Sequence, residues 1–408
     1  MQNVIESRDT ASSSTSSWGM KANSFDEWSP LKEVIVGSPM SYSLPDLELS
    51  FKLFFHDNAS LAFYYPSYGG NGSSEKPRGT VSGSSEQHAP NAKLKRQYLE
   101  ELAEDVDGLV EALQKLGVTV HRPMSLEQVP HFKTPYWEAS GIPALNVRDQ
   151  AIVFGDHIIE TTPQIRARYF ENDLLKPIFY EYFKKGAQWT SMPRPIMTDK
   201  SFDLSYVADQ GREMVASEPV YQQESSGYDI GFEMMIDAAQ CVRFGKDIIV
   251  NVATENHEMG LEWLKRQLEP QFRIHRIYRM TDNHIDSIVL PLRPGTLLLR
   301  HPRFLNMLPE ALQRWDIIYP PEPNESIFPN YGDDSLLLTS KYIDLNVLSI
   351  DENTVVVNEL FPELVEALEK KGFNVVPVRH RHRRLFGGGF HCFTLDTVRE
   401  GTLENYFD

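Results

Sequence analysis

Apolar positions along the chain recur with two periods, and the alternation between them repeats. Over residues 92–116 the side chains Leu94, Tyr98, Leu102, Val106, Leu109, Val110 and Leu113 follow helical spacing, and Gly117 stops that helix before a short strand at 118–123. The joint returns almost verbatim: Leu109-Val-Glu-Ala-Leu-Gln-Lys-Leu-Gly117-Val-Thr-Val becomes Leu364-Val-Glu-Ala-Leu-Glu-Lys-Lys-Gly372-Phe-Asn-Val. Looser copies lie at 178–189, at 261–274 with Pro270 as the breaker, and at 308–319. Between them run strand-turn-strand segments opened by Asp149, Asp237, Asp286 and Asp344, and an earlier apolar strand at 33–37 follows Trp28. Helix-then-strand units interleaved with hairpins predict a closed array, in which each module buries its face on its neighbours and no sheet edge is left open. The expectation is a five-bladed α/β propeller of ββαβ modules with pseudo-fivefold repetition. It forms a single domain over 25–408, preceded by a disordered polar tail at 1–24. In such an array the hairpin starts converge, so residues remote in sequence can share one site.

Two stretches break the pattern. Residues 40–90 carry many aromatics followed by a Gly- and Ser-rich run, and 198–231 is similarly irregular. Insertions of that length inside a globular unit are functional or disordered, and both are candidates to cover a site.

Composition narrows the function. Hydrophobic residues at 41% and charged residues at 24% are those of a soluble globular protein. A net charge of −17 argues against nucleic acid as a partner, and no apolar run approaches the ~20 residues a membrane span needs. The Ser-rich start resembles neither a secretory signal nor a transit peptide. Two cysteines point to a reducing compartment, and the cytoplasm is the expected location.

The candidate chemistry centres on Gly387-Gly-Gly-Phe-His391-Cys392, where three glycines allow a sharp turn to present a thiol. Free cysteine is usually a small buried hydrophobe, and Cys241 in its apolar strand is read that way. Cys392 differs because the array would bring it beside His284, Asp149, Asp237 and Asp286. Carboxylates without lysines nearby suit a guanidinium, which they bind through forked hydrogen bonds. Its delocalised carbon is a poor electrophile and calls for a strong nucleophile, which a thiol with a reference pKa of ~8.5 supplies. Histidine can then move the proton that the leaving amine needs. The set reads as cysteine-dependent chemistry on a guanidine, with no metal or cofactor required.

Asp237-Ala-Ala, His284-Ile-Asp286, Gly387-Gly-Gly-Phe-His-Cys392 and Arg399-Glu-Gly401-Thr-Leu-Glu-Asn-Tyr406, in that order, resemble the amidinotransferase family of glycine and inosamine-phosphate amidinotransferases. So do the stretch 33–37, Arg148-Asp149, Ile158-Ile-Glu160 and Arg166-Ala-Arg168. The resemblance implies a pentein-like propeller that transfers the amidino group of L-arginine to an amine and releases L-ornithine. It further implies Cys392 as nucleophile, His284 as general acid and base, and Asp237 as the carboxylate orienting that histidine. Asp149 and Asp286 would hold the guanidinium, Arg303 the donor carboxylate, and Thr339 and Ser340 a hydroxyl pair near it. Arg300-His-Pro-Arg303 departs from the family's Asn-Pro-x-Arg, which makes Arg300 the alternative carboxylate partner; Asn146-Val-Arg-Asp149 lacks the usual proline, and Thr339 replaces a serine. A homodimer is usual for the family. The bulky aromatic insertion favours an acceptor larger than glycine. His391 is expected to shape the glycine turn, and Arg379-His-Arg-His-Arg-Arg384 to form a solvated basic loop near the site. The competing readings are a guanidine hydrolase of the arginine deiminase type and a non-catalytic propeller that only binds.

Overall fold

The computed structural model describes residues 20–54 apart from 44 and 47, 96–205, 222–331 apart from 282 and 330, and 338–408. Most of the tail, most of the 40–90 insertion and the centre of the 198–231 loop lie outside these residues.

Among the described residues, five three-stranded sheets repeat one plan, a central strand paired antiparallel on one side and in parallel, across a helix, on the other. The second blade pairs Ala151–Phe154 with His157–Glu160 and then Gln188–Ser191, across helix Lys176–Lys184. Cys241–Phe244, Asp247–Val252 and Arg273–Tyr278 form the third blade with helix Glu255–Leu268. The fourth uses Val289–Arg293, Thr296–Leu299 and Asp316–Ile318, and the fifth Leu348–Ser349, Thr354–Asn358 and Asn374–Val378. Hairpin turns need a left-handed residue, which glycine supplies at Gly155, Gly245 and Gly295 with φ of 62°, 66° and 77°.

The first blade is shared between remote parts of the chain. Leu31–Val36 pairs in parallel with Thr119–His121 and antiparallel with Thr394–Arg399, with Val36 opposite Thr394. Helix Arg96–Lys115 joins its early strands and buries Tyr98, Leu102, Val106, Leu109 and Leu113, the face that the periodicity predicts. Gly37 follows the strand, donates its N–H to Phe393 O at 2.8 Å, and lies so close to Leu145 that a Cβ would meet its carbonyl oxygen at 1.8 Å. This five-bladed α/β propeller is the expected fold.

Three local expectations are corrected. Residues 22–24, assigned to the disordered tail, are tied to the fold: Ala22 and Ser24 are buried, Asn23 N–H donates to Thr397 O and Ser24 N–H to Gly155 O. Within the irregular insertion a helix forms at Leu49–Phe54, with Glu48 accepting from the N–H groups of Ser50 and Phe51 at 3.1 and 2.9 Å. The basic run is not a solvated loop. His380, His382 and Arg383 are buried, because the run crosses acidic residues of Arg96–Lys115: Arg381 pairs with Glu104 and Asp105, and His382 with Glu101. Arg383 turns the other way and pairs with Asp344 at 2.8 Å.

Where the first three blades meet, a buried ionic cluster replaces the apolar core. Arg243 forks onto Glu27 at 2.9 and 2.7 Å and reaches Asp396 at 2.7 Å, while Arg148 and Arg399 each approach Asp396 at 2.6 Å. All five side chains are essentially inaccessible. Burial pushes both carboxyls upward, but the surrounding guanidiniums hold Glu27 and Asp396 well below the usual carboxylate range.

Candidate active site

A short 3-10 turn precedes the first strand of blades two to five, at Val147–Asp149, Ala238–Gln240, Ile285–Ser287 and Ile343–Leu345. Asp149 ends the first of these, Asp237 and His284 stand at the N-caps of the second and third, and Asp286 lies within the third. In the first blade the glycine turn that ends at Cys392 occupies the corresponding place before Thr394–Arg399. Pseudo-symmetry thus gathers residues that the sequence separates.

They meet at a cavity of about 670 Å³. Cys392, His284, Asp149, Asp286, Arg300, Arg303, Thr339 and Ser340 all line it; Asp237 lies outside the lining, behind His284. His284 Nε2 is 2.8 Å from Asp237 Oδ2, and its Nδ1 is 3.5 Å from Asp149 Oδ1. Gln150 Nε2 donates to the other Asp237 oxygen at 2.9 Å, which fixes the carboxylate plane. Burial alone would lower the His284 pKa, but Asp149, Asp237 and Asp286 outweigh it and raise it to about 9. The imidazole is therefore cationic at neutral pH.

Cys392 is held by its backbone. Its N–H donates to Asn346 Oδ1 at 2.7 Å, as does Gly389 N–H at 3.2 Å, while Asn346 Nδ2 donates to Asp286 O at 3.3 Å. The thiol lies 3.5 Å from Asp286 Oδ2, which also accepts from His391 Nδ1 at 2.7 Å. Burial, then the charges of Asp286 and Asp149, push the thiol pKa well above its ordinary value. Asp286 itself is held low, burial being outweighed by His391 and His284. Asp149 is raised by burial although Arg168 donates to its Oδ2 at 2.6 Å. Arg168 also forks onto Glu171, whose carboxyl burial drives to about 7. Among the described residues, Asp149 Oδ1 and Asp286 Oδ1 are buried and accept no hydrogen bond. Two such acceptors are costly unless a cationic donor satisfies them.

The outer edge is cationic. Arg300 donates to Ser340 Oγ at 3.2 Å and lies over Tyr342, while the more exposed Arg303 stacks on Phe304. Thr339 is anchored to Arg383 O at 3.4 Å. Tyr42, Phe51 and Phe54, from the described part of the insertion, add aromatic lining. Among the described residues no cluster of His, Cys, Asp or Glu is arranged to hold a metal ion, and no helix is long and apolar enough to cross a membrane.

No family model matches the chain. Curated relatives do, and two of them illustrate the range. The mitochondrial glycine amidinotransferase of Xenopus tropicalis is 30% identical over 391 residues, 94% of this chain and 84% of its own. The L-arginine:L-lysine amidinotransferase of Pseudomonas savastanoi pv. phaseolicola is 33% identical over 393 residues, 94% and 96% of the two chains. The chain belongs to the amidinotransferase family. Among solved structures, SxtG, an amidinotransferase of the saxitoxin biosynthetic pathway from Microseira wollei, superposes with a TM-score of 0.74 at 32% identity, covering 95% of this chain and 99% of its own. The architecture of this amidinotransferase is accordingly the pentein propeller.

Several residues that shape the amidinotransferase site carry no role in the sequence reading. Arg168 stands within a motif that points to the family, but its partner Asp149 is revealed only by the fold. Asn346 had a weak signal, its place just after the hairpin aspartate Asp344. Phe54, whose ring lies edge-on to His284, had none, since the segment around it shows no period.

Proposed function

We propose that this amidinotransferase moves the amidino group of L-arginine to a primary amine through an amidino-cysteine on Cys392, releasing L-ornithine. The observation that carries the reading is the pair of unsatisfied acceptors, Asp149 Oδ1 and Asp286 Oδ1, in the wall that also holds Cys392 and His284. A guanidinium bridging them donates charge-assisted hydrogen bonds on both sides and brings its carbon to the thiol. Its positive charge offsets the two carboxylates that hold the thiol proton on, so donor binding itself favours the thiolate, the thiol proton leaving to solvent. Sulfur then bonds to the amidino carbon, the bond from that carbon to the donor's side-chain nitrogen breaks, and His284 gives the departing ornithine its proton. Neutral His284 next takes a proton from the acceptor amine, whose nitrogen displaces sulfur. Asp237 keeps the ring oriented throughout. The Arg300–Ser340 pair, Arg303 and Thr339 form the edge to which we assign the donor carboxylate. A hydrolase reading loses ground to relatives named as transferases along nearly their whole length.

The aromatic side chains Tyr42, Phe51 and Phe54 in the cavity lining support an acceptor bulkier than glycine. The two buried, unpaired cysteines support a reducing compartment, and we propose the cytoplasm.

One thiol serving both half-reactions requires ping-pong kinetics. Labelled ornithine is expected to exchange into arginine with no acceptor present, and the exchange should fade as pH rises through about 9, where His284 loses its proton. Intersecting double-reciprocal lines with no exchange would rule the mechanism out. Asp286→Asn keeps the shape but removes the charge, so kcat/KM for arginine should fall by ~1.5 to 3 kcal/mol. Unaltered arginine kinetics would reduce Asp286 to a structural residue.

A further inference from the structure

Phe54 ends the helix Leu49–Phe54 and lines two cavities at once. On one side lies the large cavity with Cys392 and His284, where the ring stands edge-on to the imidazole, centroids 5.2 Å apart and planes at 68°. On the other side is a space of about 20 Å³ whose wall includes the polar side chains of Gln164, Asp203, Thr254 and Asn256. That volume admits one water, which needs ~10 to 15 Å³, and Gln164 Nε2 is buried with no hydrogen-bond partner among the described residues. The helix bearing Phe54 is not a loose flap. Arg166 donates to Glu48 at 3.1 Å through Nη1 and to Ser50 Oγ at 3.0 Å through its backbone N–H, and a further guanidinium nitrogen donates to Asp199 at 2.7 Å.

We infer that Phe54 is the partition that decides between transfer and hydrolysis, by keeping water of the small polar pocket away from His284. The inference rests on the covalent reading given above. In transfer, the acceptor nitrogen bonds to the amidino carbon, the carbon–sulfur bond breaks, and the amine proton passes to His284. In hydrolysis, water oxygen takes the amine's place: the thiouronium and one water yield the free thiol, urea and one proton, which the same histidine receives. Because both routes use one base, the base cannot tell them apart, and access must. Without the ring, a water crossing from the pocket would reach His284, beside which Phe54 stands. Phe54 therefore acts as a specificity-determining wall and touches the general base without taking part in proton transfer.

The test supplies arginine alone in water enriched with oxygen-18 and follows urea, ornithine and ornithine–arginine exchange by mass spectrometry. Phe54→Ala is expected to release labelled urea and ornithine in equal amounts at a rate raised at least roughly tenfold, a barrier change of about 1.4 kcal/mol, while exchange persists. Phe54→Leu, which refills most of the volume, should return urea release towards the wild-type rate. Unchanged urea release in Phe54→Ala with exchange intact would overturn the inference. Loss of exchange in both variants would overturn it too, making Phe54 part of the donor site. Absence of exchange in the wild-type enzyme would instead bring down the covalent reading, and the partition with it.

Discussion

Replacing Cys392 by alanine is expected to reduce ornithine release from arginine, and arginine–ornithine exchange, to background. The cost is total because no other group stands ready to take the amidino carbon: the second cysteine, Cys241, is buried within a strand core, and burial pushes its thiol up to about 12. Arginine binding should survive, since Asp149 and Asp286 remain to satisfy the guanidinium and the Arg300–Ser340 edge remains for the carboxylate. Calorimetry on the alanine variant checks that half. Mass spectrometry of the unaltered enzyme with arginine alone checks the other, by showing one amidino group on the peptide that contains Cys392. An adduct on Cys241, or turnover by the variant, would remove Cys392 from the role.

The next largest effect is on stability. Arg243→Met leaves Glu27 and Asp396 facing each other in the interior with one guanidinium fewer, and breaking such a buried pair typically costs ~3 to 5 kcal/mol. A urea titration should show a lower midpoint, and the acid limb should change as well. Both carboxyls are depressed in the folded state, so their contribution is present above the unfolded carboxylate pKa of ~4 and is lost as pH falls through the folded values. Without Arg243 the depression shrinks, and acid unfolding should begin at a higher pH. Equal urea midpoints for the two proteins would mean that Arg148 and Arg399 suffice.

Much of this was readable from residue order because it rests on local rules. The amphipathic stripe from Tyr98 to Leu113, the glycine stops at Gly117 and Gly372, and the hairpin turns at Gly155, Gly245 and Gly295 each follow from a few adjacent residues. The gathering of Asp149, His284, Asp286 and Cys392 followed from the repeat, since equivalent positions in a ring face one another. What escaped depends on partners that no local rule supplies. The fork between Glu27 and Arg243 joins positions 216 residues apart in the chain. The basic run 379–384 looks solvated until the acids of a helix far upstream are laid against it. Asn346 reads as an ordinary loop residue, and its hold on Cys392 exists only because the fifth blade abuts the glycine turn.

The strand shared by early and late residues gives the enzyme a safeguard during its synthesis. A growing polypeptide has produced His284, Asp286 and both other aspartates before it produces Cys392, and the thiol then waits for Thr394–Arg399 to dock on Leu31–Val36. Until that docking, Gly37 does not hold Phe393 and the thiol has no fixed place beside Asp286. A half-made chain on the ribosome therefore carries the histidine and the carboxylates but no nucleophile, and the last residues to be made complete the site only by docking on nearly the first.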